Sequence, residues 1–168
     1  MRPHMNIPRI ALVLLASLIC VGCSDASEEP TPDPTGGGEK VVERYESGQK
    51  KFEGYLLEDG TKVGIWTYWY KHGQRKEEGK FKNGKKEGRW TAWHKNGKKF
   101  KEGIFVNGEK EGRWTCWYKN GKKYSEGEYK NGEKEGPWTY WFDTGSIHHY
   151  TSGIYKDDEK VADLPKKN

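Results

Sequence analysis

The chain has 168 residues with 30 Lys or Arg and 25 Asp or Glu, so its formal net charge is only +5. Charged residues make up 33% of the chain, hydrophobic residues 32% and aromatic residues 14%. This composition excludes a thick aliphatic core, and the nearly balanced charge gives no support to a nucleic-acid-binding protein.

The first 22 residues have the pattern of a secretory signal. Arg2 and Arg9 precede an uncharged apolar run from Ile10 to Ile19, and the small residue Gly22 ends the segment. A positive head followed by about ten apolar residues is typical of a signal peptide, and the run is too short to span a bilayer as a helix. We therefore interpret residues 1–22 as a signal peptide.

The Gly22-Cys23 pair resembles the end of the signal in bacterial lipoproteins, where a small residue precedes a Cys that is acylated and becomes the new N-terminus. The resemblance implies lipidation at Cys23 and an exported protein anchored to a bacterial membrane. Because Ser24 follows the Cys instead of the Asp that retains such proteins at the inner membrane, the expected site is the outer membrane or the cell surface. The alternative is an ordinary cleaved signal with a Cys there by chance.

Residues 23–40 form the next segment, which is rich in Ser, Asp, Glu, Pro, Thr and Gly and has no large apolar residue. Such a segment cannot bury enough surface to offset the entropy lost on ordering. We predict a disordered, lipidated tether that holds the following domain away from the membrane.

Residues 41–160 repeat themselves with a period of 24 residues. Each clean unit reads Gly-x-Trp-Thr-x-Trp, then His-Gly or Asn-Gly, then Glu-Gly-x-aromatic and a second Asn-Gly. A fixed period this short indicates a repeat array, and large aromatics at a strict spacing argue against disorder. The period is marked by Trp66, Trp90, Trp114 and Trp138, and by Gly73, Gly97, Gly121 and Gly145.

Each repeat contains two runs of strand-favouring residues, for example 89–94 and 99–106, and each run is followed by an Asn-Gly pair that accepts positive φ. This pattern predicts β-hairpins. The fold class is therefore all-β, an elongated single-layer antiparallel meander of about ten strands. The first and last units are irregular, as caps of a stack are, with Asp157-Asp158 in place of Asn-Gly. Residues 161–168 are predicted to be a disordered tail.

Alternation along each strand sorts the aromatic residues onto two faces, with Trp66 on one face and Trp69 on the other. Gly79, Gly103 and Gly127 lie in neighbouring strands and leave room for a Trp ring to lie over a glycine. Either row is a candidate binding surface. One row contains Trp66, Trp90, Trp114 and Trp138, and the other contains Trp69, Trp93, Trp117 and Trp141.

The stretch from Glu126 to Trp138, Glu-Gly-Glu-Tyr-Lys-Asn-Gly-Glu-Lys-Glu-Gly-Pro-Trp, resembles the MORN repeat. Its Trp-rich form is similar to the bacterial variant found in proteins named after the YwqK antitoxin. The resemblance implies an elongated sheet of hairpins without catalytic machinery. It also implies protein partners, acidic phospholipids or, in the YwqK branch, neutralisation of a toxin.

The residues give no independent sign of an active site, a metal site or a cofactor. His148 and His149 are adjacent and would face opposite sides of a strand, while His72 and His94 lack partners at ligand spacing. No phosphate-binding or nucleophile motif occurs, because the glycines serve hairpins. Cys116 takes the place of Tyr68 and is expected to be a small packing residue.

We therefore expect a non-enzymatic, envelope-tethered repeat scaffold that binds a protein, glycan or lipid surface through an aromatic row. Lysines at the turns are accompanied by acids, so nucleic acid is not an expected ligand. One alternative is a YwqK-like antitoxin or immunity protein that neutralises a cognate toxin. A blander alternative is a structural spacer in the envelope.

Overall fold

The computed structural model describes residues 35–165, so the predicted signal peptide, Cys23 and most of the tether lie outside the described residues. The described residues contain eleven strands and no helix, and the strands form one antiparallel sheet in chain order. The predicted all-β meander is confirmed, with one strand more than the ten expected. The strands are β1 Glu39–Arg44, β2 Lys50–Leu56, β3 Lys62–Trp69, β4 Arg75–Lys82, β5 Lys85–Trp93, β6 Lys99–Val106, β7 Glu109–Trp117, β8 Lys123–Lys130, β9 Glu133–Tyr140, β10 Gly153–Lys156 and β11 Glu159–Ala162.

From β3 to β9 the hairpin turns alternate between two kinds, one at each edge of the sheet. At the edge we call the Asn-Gly edge, Asn83, Asn107 and Asn131 have φ of 50°, 51° and 51°, which is the geometry of two-residue turns. Asp157 and Asp158, with φ of 51° and 65°, take the same place in the last hairpin, as predicted.

At the opposite edge, which we call the loop edge, only the Gly of each Asn-Gly pair has a positive φ, not the Asn. The loops there are longer, since Trp69 pairs with Arg75 and residues 70–74 form the connection. In this loop Gly73 takes the positive φ of 89°. In the next loop the Asn96 side chain instead donates a hydrogen bond to the Lys119 carbonyl, at 2.7 Å. Asn-Gly therefore has two different structural roles in this chain, set by the length of the loop that contains it.

The ordered domain begins earlier than the predicted start at residue 41. β1 begins at Glu39, and a Cβ added to Gly38 would lie 2.6 Å from Cγ2 of Val63. Gly36 and Gly38, which lie in the segment predicted to be disordered, let the backbone approach β3 closely. At the other end, β11 extends to Ala162, two residues into the predicted tail.

The predicted contact between Trp rings and glycines is present in four places. A Cβ built on Gly103 would lie 2.6 Å from Cγ of Trp114 and closer still to two other ring carbons. Real Cβ atoms essentially never come within 3.0 Å of another heavy atom, so only glycine fits beneath the ring. The same contact joins Gly54 to Trp66, Gly79 to Trp90 and Gly127 to Trp138.

Rings from neighbouring strands fill the space between these tryptophans and give the single layer its core. Phe105 meets Trp114 with ring centroids 5.1 Å apart and an interplanar angle of 88°, and Tyr129 meets Trp138 at 5.0 Å and 81°. These are edge-to-face contacts, the favoured arrangement of aromatic pairs. Because each ring touches the next, one continuous aromatic row crosses the repeats.

Candidate functional site

The first predicted row, Trp66, Trp90, Trp114 and Trp138, is buried, with only 1–2% of each side chain surface exposed. Each indole nitrogen is also satisfied internally. Trp90 Nε1 donates to the Lys80 carbonyl at 3.1 Å, and Trp114 Nε1 donates to the Ile104 carbonyl at 3.1 Å. We refer to these four residues as the buried row; a ligand does not reach them, and they hold the sheet together.

A row of lysines, which was not predicted from the sequence, covers the buried row. Lys62 Nζ lies 4.3 Å from the ring centroid of Trp66, and Lys86 Nζ lies 3.8 Å from that of Trp90. Ammonium groups at this distance over an indole make cation–π interactions, and the lysine stems exclude water from the rings. Lys110 and Lys134 stand over Trp114 and Trp138 in the same way. The signal was a Lys four residues before each Trp, with the same period of 24 residues.

The second predicted row, Trp69, Trp93, Trp117 and Trp141, is only half-buried. Three members end β3, β5 and β7, and Trp141 follows β9 and makes an isolated bridge with Ile147. We call these four residues the half-buried row. They lie on the face opposite the buried row, where their rings reach the surface beside charged side chains.

The backbone of the half-buried row is tied to the preceding repeat by one recurring hydrogen bond at the loop edge. Tyr70 Oη donates to the Trp93 carbonyl at 2.9 Å, and His94 Nε2 donates to the Trp117 carbonyl at 2.8 Å. Tyr45 and Tyr118 make the equivalent bonds to Trp69 and Trp141. His94 therefore substitutes for a tyrosine in a structural contact, which explains a histidine at this position without a metal.

Ion pairs surround the half-buried row. Lys99 Nζ lies 2.7 Å from Oε2 of Glu102 and 5.7 Å from the ring centroid of Trp117. Thr91 Oγ1 donates to the same carboxylate at 3.2 Å. Thr67 and Thr115 donate in the same way to Glu78 and Glu126. Together with Glu53 and Glu102, these carboxylates pair with seven Lys or Arg residues. Each repeat therefore presents one ring, one carboxylate and at least one cation.

The hydrogen bond from Lys99 holds the pKa of the Glu102 carboxyl below its ordinary value. A lowered pKa in the folded state means that the ionised carboxylate stabilises the fold at neutral pH, and this contribution is lost as the pH falls through that value. Glu102→Gln should therefore lower the free energy of unfolding at neutral pH by about 1 kcal/mol or less, because the pair is partly exposed. Urea denaturation at neutral and acidic pH measures the difference, which should vanish in acid. Glu128→Gln, at an exposed carboxylate without an ion pair among the described residues, is the control, and a pH-independent loss in Glu102→Gln would contradict the prediction.

Two cavities adjoin the half-buried row. One of about 510 Å³ lies at the loop edge and is lined by residues that include His94, Phe100, Trp117 and Tyr124. The other, of about 940 Å³, lies beside Trp141 at the C-terminal end of the sheet. Residues 35–165 contain no cluster of His, Cys, Asp or Glu that could hold a metal, and no helix long and apolar enough to cross a membrane. Cys116 is half-buried and is not in a disulfide within this range.

Comparison with known protein families finds a match to the MORN repeat variant at residues 62–83, 86–107 and 110–131. Each matched unit begins at or beside a lysine that covers the buried row and includes one long hairpin of the sheet. No curated protein matches the chain. The three consecutive matches, together with the observed hairpin meander, identify these three segments of the chain as MORN repeats of the variant form.

Proposed function

We propose that the protein is a non-enzymatic repeat scaffold that binds an extended protein, glycan or lipid surface through the half-buried row. In this proposal it is exported and held at a bacterial membrane by a lipid on Cys23. The observation that carries the proposal is the contrast between the two rows. The buried row packs in the core and is not accessible to a ligand. The half-buried row presents an aromatic ring, a cation and a carboxylate in each repeat along the opposite face.

The spacing of the half-buried row favours an extended partner. Successive members are two strands apart, which is about 10 Å at the usual strand separation. Each ring with its neighbouring charges can make only a small contact with a partner. Several such contacts on one rigid sheet give a higher affinity when one partner binds to them simultaneously. A partner that spans three or four repeats benefits most from this arrangement.

The antitoxin alternative rests on the resemblance to the YwqK branch alone. No contact among the described residues favours a toxin as the partner, so the broader scaffold function is the one we propose.

The test is Trp69→Ala combined with Trp93→Ala in the full lipidated chain. The double variant should stay folded by circular dichroism, because both rings are half-buried, and should lose about tenfold or more in affinity for its partner. Binding is measured separately to outer-membrane proteins, to isolated cell-wall glycan and to lipid vesicles. Val106→Ala, which removes an exposed apolar side chain near the Asn-Gly edge, is the matched control.

If the double variant is folded and binds all three fractions as the wild type does, the half-buried row is not the binding surface. A Cys23→Ala variant tests the tether separately, since it should move the protein from the membrane fraction to the soluble fraction.

A further inference from the structure

The strand after each loop at the loop edge contains one residue that bulges out of the strand pairing. In β4 this residue is Lys76, because Arg75 pairs with Trp69 and Glu77 pairs with Tyr68. The equivalent residue in β2 is Lys51, but in β6 and β8 it is Phe100 and Tyr124. The strand pairing therefore forms with either a lysine or an aromatic residue at this position. Tyr124 also contacts the ring of Tyr140, with centroids 5.8 Å apart, whereas the only ring that Phe100 contacts among the described residues is that of His94.

These additional rings are exposed and form pairs along the loop edge. Phe100 lies 4.9 Å from His94 between ring centroids, and Tyr124 lies 5.1 Å from Tyr118. Phe100 is 42% exposed and Tyr124 is 43% exposed. A third pair, Phe142 with His148, follows 24 residues later at 4.4 Å. We call these three pairs the loop-edge pairs; each is two strands from the next, about 10 Å.

Polar groups without partners surround the cleft of about 510 Å³ that lies between the first two loop-edge pairs. The Asp143 carboxylate, the Lys119 ammonium and the Tyr124 hydroxyl line it and make no hydrogen bond or ion pair to other residues in the described range 35–165. His94 donates through Nε2, so its Nδ1 remains an acceptor. The cleft thus combines ring faces with both donors and acceptors, and the charges of Asp143 and Lys119 cancel.

We propose that this cleft binds a neutral, β-linked oligosaccharide. A pyranose ring has a face of C–H groups that stacks on an aromatic ring and a rim of hydroxyls that both donate and accept hydrogen bonds. The volume lies within the range of roughly 300–1,000 Å³ that is usual for small-molecule sites. Because the charges of Asp143 and Lys119 cancel, the cleft favours a neutral ligand, and its polar rim disfavours an acyl chain. The step of about 10 Å between loop-edge pairs is close to the length of a disaccharide, so alternate sugars of one chain can meet successive pairs.

The test is a titration of the full chain with chitotetraose, in which binding is measured by calorimetry and by intrinsic fluorescence. The wild type should bind, and Phe100→Lys combined with Tyr124→Lys should bind about tenfold more weakly or worse. This variant has the lysine found at the equivalent positions 51 and 76, so it should stay folded, with only a small loss of stability from the missing contact between Tyr124 and Tyr140. Asp143→Asn should weaken binding by a smaller factor, because it removes a charged acceptor but keeps the rings.

The cleft can be tested apart from the rest of the half-buried row, because Trp117 lines the cleft and Trp69 and Trp93 do not. Trp69→Ala with Trp93→Ala, which changes residues that do not line this cleft, should leave chitotetraose affinity within about twofold of the wild type. A wild type that binds neither chitotetraose nor cellotetraose would overturn the proposal, and so would equal binding by the Phe100→Lys, Tyr124→Lys variant. Binding to anionic vesicles alone, without oligosaccharide binding, would also overturn it.

Discussion

Adding a single methyl group at Gly103 should destabilise the protein by on the order of 3 kcal/mol, at the upper end of what overpacking usually costs. The new Cβ would overlap the indole of Trp114, which is only 2% exposed. The ring has no room to move away, because Phe105 and Tyr129 contact it and its nitrogen is bonded to a carbonyl. Urea denaturation of Gly103→Ala, followed by tryptophan fluorescence, measures the loss.

Two comparisons separate this clash from ordinary effects of replacing a glycine. Gly112 has a φ of 61° and no atom within 4 Å of its added Cβ, so Gly112→Ala should cost only about 1–2 kcal/mol from backbone strain. In Gly103→Ala combined with Trp114→Ala the clash is gone, and the combined loss should be smaller than the sum of the single losses. If the stability losses of Gly103→Ala and Trp114→Ala simply add, or if Gly103→Ala and Gly112→Ala cost the same, the contact between the Trp114 ring and Gly103 is not what requires glycine at position 103.

Removing the ring of Trp90 should cost about 3–5 kcal/mol, as expected for a buried tryptophan replaced by alanine. Trp90 touches Phe81 at 5.1 Å and Phe105 at 6.0 Å between centroids, and Lys86 lies over its face. The array is stabilised mainly by contacts between neighbouring repeats, so this loss should weaken the coupling between the two halves of the sheet.

Hydrogen exchange locates the effect. In Trp90→Ala the amides of β4, β5 and β6 should lose protection first, while β8 and β9 keep more of theirs. Trp93→Ala, in the neighbouring half-buried position, is the control and should cost clearly less. A loss in Trp93→Ala as large as that in Trp90→Ala would contradict the assignment of the two rows.

Most of the fold was predictable because nearly every contact is made within one period or with the next repeat. Turn residues such as Asn83 carry their geometry in their own backbone preference, with a φ of 50°. The pairing of Trp90 with Gly79 follows from the spacing of the two residues in a hairpin meander. The period of 24 residues and these local signals together determine an antiparallel sheet in chain order.

The sequence alone did not determine which row of tryptophans is covered. Alternation places Trp90 and Trp93 on opposite faces of the sheet but does not say which face is covered. Only the assembled sheet brings Phe81 and Phe105, from the two neighbouring strands, onto the Trp90 side. The close approach of Gly38 to Val63 was also not predicted from the sequence, since a run of glycines indicates a flexible segment.

The loop-edge pairs show the same division between sequence and tertiary structure. The aromatic residues at positions 100 and 124 are visible in the sequence, but their exposure depends on a bulge that offsets the strand pairing by one residue. The sequence by itself therefore determined the repeat, the strands and the turns, because these follow from local preferences. The tertiary structure decided which rings are buried and which remain exposed, because burial depends on side chains brought together from different strands.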